Sequence, residues 1–239
     1  MMSGDEEGTS RVLAALDAVE SLGNTKAEIK KKCEEIYIEC VNELIEQKFI
    51  KPRLLTRQIY ENAIQKEQVN SVIQGIAAEI NRYDINCDFI LSGFDSKKRP
   101  FILTLTAPDG TVTDMTSTGF AAIGSGFAYA QSRLLFLAHK REDDLDKAMY
   151  DVFDAKASAE MSPTVGTDSD SVIVYLGKQG EIKVKIVEEH ISELIERVWF
   201  DKAALSPYET RSDDQPEQPP KKWKQMLRKY AADLLGGEP

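Results

Sequence analysis

Residues 89–135, FILSGFDSKKRPFILTLTAPDGTVTDMTSTGFAAIGSGFAYAQSRLL, constrain the fold more than any other part of this chain. Two short β-rich runs, 89–92 and 101–106, are each closed by turn residues: Gly93-Phe94-Asp95 after the first and Pro108-Asp109-Gly110 after the second. Such clusters end strands because proline presets φ, aspartate bonds its own backbone, and glycine accepts positive φ. A third strand is expected to run on to Ile123. Gly124-Ser125-Gly126 then turns the backbone into a helix over 127–138. Glycine on both sides permits dihedrals that other residues avoid. Ser125 is thereby placed at an exposed corner, next to a helix N-terminus with free amides.

The rest of the chain alternates helical and strand periodicities. Residues 9–22 predict a helix capped by Thr9 or Ser10, with Val12, Leu13, Leu16, Val19 and Leu22 on its apolar face. Thr25 caps a longer helix to about Phe49, striped by Ile29, Cys33, Ile36, Cys40, Leu44 and Ile45. Its Lys30-Lys31-Lys32 run is read as a solvated face. Lys51-Pro52-Arg53 is expected to stop that helix, because proline restricts its predecessor. Thr56 caps a short turn, and a helix follows over 68–83. After the strand cluster, a helix is predicted over 144–161, with Leu145, Ala148, Met149, Val152, Phe153 and Ala157 inward. A hairpin, 171–176 and 182–187, closes through Gly177-Lys178-Gln179-Gly180. A helix over 190–200, a polar Pro-rich stretch over 207–220 and a basic amphipathic helix over 221–239 complete the chain. The pattern is α+β, with helices before, between and after two groups of strands. Periodicity does not choose among α+β architectures.

The run AAIGSGFAYAQSRLL, with the Gly-Phe-Asp and Pro-Asp-Gly turns before it, resembles the proteasome-type N-terminal-nucleophile (Ntn) hydrolases, the proteasome β subunits and HslV. The resemblance implies a four-layer α-β-β-α sandwich, proteolytic activity and association with like subunits. Residues 1–206 would form the domain. It also implies a free N-terminal threonine acting as nucleophile and base. This chain begins MMSGDEEGTS, which looks like the family's junction between a later strand and its first helix. On that reading the catalytic strands are missing and the chain is inactive as it stands. The alternative at this end is an ordinary N-terminus before a helix.

Only supporting residues of such a site can be carried over. Ser125 matches the serine of the corner. Ser169 falls at the position of a second serine before a late strand. The family's aspartate position is here Gly166, a departure that leaves Asp168 or Asp170 as substitutes without the family spacing. The plain reading of 167–170 is a polar turn.

Other chemistries find little support in the sequence. Ser125 lacks the glycine spacing of a nucleophile elbow, and there is no phosphate-cradling fingerprint. His139 is expected to meet the last carbonyls of a helix, and His190 to start another. No metal-ligand spacing is evident, so neither metal nor cofactor is expected. Cys33, Cys40 and Cys87 are read as reduced thiols. The net charge of −10 argues against nucleic acid as a partner. No hydrophobic run spans a bilayer, and a cytoplasmic location is expected. A polypeptide substrate is implied only for a completed site. The competing function is a non-catalytic structural or regulatory interaction module that keeps the fold.

Overall fold

The computed structural model describes residues 2–4, 6–66, 70–83, 85, 87–166, 170–187, 225, 228–230 and 232. The architecture is α+β. Contacts divide the chain into two compact units, Met1–Met115 and Thr116–Pro239.

In the first unit, strand β1 (Met2–Gly4) leads into helix α1 (Glu6–Asp17). The expected helix is present but starts earlier. Thr9 and Ser10 lie inside it rather than capping it, and Glu6 and Glu7 fill the first turn, where acidic side chains suit the macrodipole. Helix α2 (Lys26–Ile45) opens with a complete capping box. Thr25 accepts from the Glu28 amide at 3.3 Å, and Glu28 Oε2 accepts from the Thr25 amide at 3.3 Å. Pro52 does not end the helical path. A π-helical turn (Glu46–Ile50) and a 3-10 turn (Lys51–Arg53) carry it on, with proline in the first turn, where its missing N–H costs nothing. Leu54 stops it in the left-handed region at φ 58°. Thr56 caps helix α3 (Arg57–Gln65), and Asn70 caps helix α4 (Ser71–Ile80).

The strands follow in a four-stranded sheet of order β1-β2-β3-β4, antiparallel throughout, with β2 (Cys87–Phe94), β3 (Pro100–Thr106) and β4 (Thr111–Asp114). Period-two alternation sends one set of side chains inward. Cross-strand partners on that face include Phe89 with Leu105, Leu91 with Leu103, and Leu105 with Val112. They meet the predicted stripe of α2, Ile29, Cys33, Ile36, Cys40 and Leu44, together with Tyr37. Full burial of each large side chain contributes about 1.5–3 kcal/mol, so this layer is the unit's core. Gly110, at φ +67°, closes the Pro-Asp-Gly turn directly beneath the Tyr37 ring. The third strand is much shorter than expected. It ends at Asp114, opposite Leu103, although β3 continues to Pro100: Met115 still donates to Ile102 O, and the chain then turns away at 116–118 and runs as turns and irregular chain to 126.

In the second unit the Gly-Ser-Gly corner leads into helix α5 (Phe127–Phe136), which packs on helix α6 (Leu145–Ala159). Strands β5 (Val172–Leu176) and β6 (Ile182–Ile186) form the expected hairpin, with Gly180 at φ +77° in its turn. The helix expected over 190–200 and the stretch 207–220 lie outside the described residues. Of the C-terminal segment, residues 225, 228–230 and 232 are helical. There Arg228 lies 3.4 Å from Asp146, and the Lys185 ammonium stands 5.0 Å from the Tyr230 ring centre. No helix among the described residues is long and apolar enough to cross a membrane.

Candidate functional site

The Gly-Ser-Gly corner is built by two different demands on its glycines. Gly124 takes φ +86°, a left-handed conformation that glycine adopts freely. Gly126 has ordinary dihedrals but no room. A Cβ there would fall 2.7 Å from Val165 Cγ2 and 2.8 Å from Ala159 Cβ. The first turn of α5 therefore rests against the end of α6 and the loop after it. Ser125, between the glycines, is exposed. Ser169 and Asp168 lie outside the described residues, as does His190.

The chemistry-bearing side chains of this unit gather instead between α5 and α6. Apolar periodicity places Val152 inward, but Val152 is 55% exposed. The buried face of α6 holds Tyr150, Asp151, Asp154, Ala155 and Ala159. Electrostatic partners explain the rotation. Arg133 on α5 grips Asp154 with two parallel bonds, Nε to Oδ1 at 3.0 Å and Nη2 to Oδ2 at 2.8 Å. A bidentate guanidinium of this kind compensates a buried carboxylate better than a lysine would. The carboxylate in turn raises the Arg133 pKa. Burial, with the Asp154 charge adding to it, pushes the Tyr150 phenol up to about 12.

In the connection before α6 and on its first turns, His139, Asp143, Lys147 and Asp151 form a compact set. His139 Nδ1 lies 2.8 Å from Asp151 Oδ2 and 3.6 Å from Asp143 Oδ2. The Lys147 ammonium donates to both carboxylates, at 2.7 Å to Asp143 and 2.6 Å to Asp151. Burial acts to lower the Lys147 pKa, but the bonds to Asp143 and Asp151 outweigh it and hold it above its ordinary value. The same ammonium, helped by the Lys140 amide, holds the Asp143 carboxyl below its usual range. His139 thus differs from the sequence expectation: its ring turns inward to the carboxylates and meets Phe120 edge-on, with ring centres 6.0 Å apart. Three metal-ligating atoms of His139, Asp143 and Asp151 lie within 4.8 Å of one another. Sequence reading missed this set because it sought cysteine and histidine spacings. The signal present was the pair Lys147 and Asp151, four residues apart on α6, with His139 and Asp143 in the connection just before it.

In the first unit, Asp95 is nearly fully buried and organises the turn between β2 and β3. Its Oδ1 accepts from the Lys97 and Arg99 amides at 2.9 Å each, and its Oδ2 accepts from Arg99 Nε at 2.8 Å. The Arg99 side-chain bond leads in holding its carboxyl below the usual range. This is a structural turn rather than a reactive one. The three cysteines are buried and not joined in disulfides. Burial pushes the Cys33 thiol up to about 11, so it stays protonated and unreactive at neutral pH.

No family model matches the chain, and no curated protein does. Among solved structures, the chain is similar to an Anbu mutant from Hyphomicrobium sp. strain MC1. The TM-score is 0.54 at 17% identity, covering 89% of this chain and 79% of that one. Anbu is proteasome-related and Ntn-hydrolase-like but forms a distinct subfamily. The expected membership of the proteasome β-subunit and HslV group, with its catalytic strands removed, is therefore corrected: the relation is one of fold and leads to Anbu.

Proposed function

We propose that this chain is a non-catalytic structural or regulatory module with an Ntn-hydrolase-like fold of the Anbu kind, and that it works by associating with like subunits. The finer four-layer α-β-β-α arrangement belongs to this reading, as does a basic C-terminal appendage over 221–239. The observation that carries it is the β5–β6 hairpin. Val172 pairs with Ile186, Val174 with Val184, and Leu176 with Ile182, which puts six aliphatic side chains on one face. Five of them, all but Leu176, are between 37% and 69% exposed. A two-stranded ribbon is marginal alone, and an exposed aliphatic face of this kind is typical of a surface covered on assembly.

The absence of peptidase chemistry in the reading rests on the corner. Both of its glycines answer to backbone and packing needs, Arg133 of α5 is engaged with Asp154 of α6, and Lys147 with Asp143 and Asp151. Analytical ultracentrifugation of the full chain, alongside hydrolysis of fluorogenic peptides, tests the proposal. Self-association weakened by Val184→Glu and Ile186→Glu, with no hydrolysis, is expected. A monomer at high concentration, or cleavage abolished by a threonine-directed inhibitor, would overturn it.

A further inference from the structure

We propose that His139, Asp143 and Asp151 form a divalent transition-metal site in which the Lys147 ammonium is a built-in competitor for the metal's place. One imidazole nitrogen and two carboxylate oxygens lie within 4.8 Å of one another. Donors bound at roughly 2.0–2.2 Å around one ion stand about 3–4 Å apart. The separation of 3.6 Å between His139 and Asp143 already fits. The 2.8 Å between His139 and Asp151 is a hydrogen bond and must open by a few tenths of an ångström.

These donors are sheltered. The side chains of His139, Asp143 and Asp151 are 7%, 16% and 4% exposed. A second observation points to a cation in particular: the protein already lodges one there. The Lys147 ammonium sits 2.6–2.7 Å from an oxygen of each carboxylate, within direct ion-pair distance. Its side chain is 42% exposed, so it can swing to water. Removing the ammonium alone would leave two sheltered carboxylates uncompensated, so it leaves only as a divalent ion takes its place and gains from both carboxylates and the imidazole together.

The chemistry of the set selects the metal class. Mixed imidazole and carboxylate donors suit zinc, manganese, cobalt or nickel, and water completes the coordination. Calcium requires six to eight oxygens and is disfavoured. Binding moves the His139 proton to Nε2, so that the Nδ1 lone pair faces the metal. The Phe120 ring edge-on to the imidazole helps fix its plane. The Arg133–Asp154 pair on the same helix face is satisfied within itself and leaves the set its own charge balance.

Calorimetric titration of the full, chelator-treated chain with zinc, manganese and calcium chlorides tests the proposal, together with cobalt absorption spectra. Saturable binding of zinc or manganese, with calcium much weaker, is expected. The cobalt spectrum should lack a thiolate charge-transfer band, which separates this site from the cysteines. Lys147→Gln should tighten binding about tenfold by removing the competitor. His139→Gln and Asp151→Asn should each weaken it at least about tenfold. Lys147 is exposed, so Lys147→Gln keeps the test informative if the variants of buried residues fail to fold. No saturable binding by the natural chain overturns the proposal, including the case where Lys147→Gln alone binds, which would leave Lys147 as a structural cation. Binding unchanged by Lys147→Gln, or by folded His139→Gln and Asp151→Asn, overturns it equally.

Discussion

Gly126→Ala isolates what the Gly-Ser-Gly corner is for. The new Cβ would stand 2.7 Å from Val165 Cγ2, 2.8 Å from Ala159 Cβ and 3.2 Å from Ala159 O, against an ordinary carbon–carbon contact of about 3.5–4.0 Å. Overpacking of this order costs about 1–3 kcal/mol. Replacing glycine also restricts the unfolded chain, which returns about 0.4–1 kcal/mol. The expected net is a loss of about 1–2 kcal/mol, or about 2–8 °C in Tm for a chain of this size. Because Ala159 supplies part of the clash, Ala159→Gly should relieve it in the double variant. Ala159→Gly alone costs about 0.5–1 kcal/mol in helix propensity, so the sign to look for is a favourable coupling of about 1 kcal/mol. Gly124→Ala should cost about 1–2 kcal/mol for a different reason, its φ of +86°, and should show no coupling to Ala159. Ser125→Ala, at an exposed position, should stay within about 0.5 kcal/mol. Urea unfolding followed by circular dichroism reads all five variants. A neutral Gly126→Ala, an absent coupling, or a Ser125→Ala more damaging than Gly126→Ala would refute the view that packing and backbone geometry account for the corner.

Two further outcomes follow from the buried charges. Arg133→Met should destabilise by about 3–5 kcal/mol, because it strips the bidentate counter-charge from a carboxylate only 2% exposed. Asp154→Leu should cost less, since Arg133 is 36% exposed and can turn to water; equal losses in urea unfolding would sink this asymmetry. The second concerns Asp95, whose pKa is depressed in the folded state. Its contribution to stability is present above its unfolded value of about 4 and is lost as pH falls through the lower folded value. Urea midpoints measured from neutral pH down to about pH 2 should therefore fall less steeply for Asp95→Asn than for the natural chain. Superimposable profiles would show that the turn does not titrate in this way.

The comparison of sequence with structure divides along the range of the interactions involved. Local chemistry was readable: the Thr25 cap, the Pro-Asp-Gly turn, the glycine corner and the β5–β6 hairpin each rest on residues only a few positions apart, whereas Thr56, expected to cap a short turn, caps the helix Arg57–Gln65. The core stripe of α2 was readable as well, because its buried residues are apolar and a 3.6-residue period reports them. What failed needed a partner elsewhere in the chain. The facing of α6 depends on Arg133, which lies 21 residues before Asp154. A scan that counts aspartate as outward must then rotate the helix wrongly. The same error hid the His139 set, since an aspartate assumed to face water is not examined as a ligand. In this chain polar residues at four-residue spacing, 139 to 151, converge although only Lys147 and Asp151 among them are helical. That convergence places Lys147 between two aspartates with His139 against Asp151, and the Arg133–Asp154 pair adds charge to an α5–α6 seam that also buries Leu134 and Ala155, where the seam between α2 and its sheet is held by apolar burial.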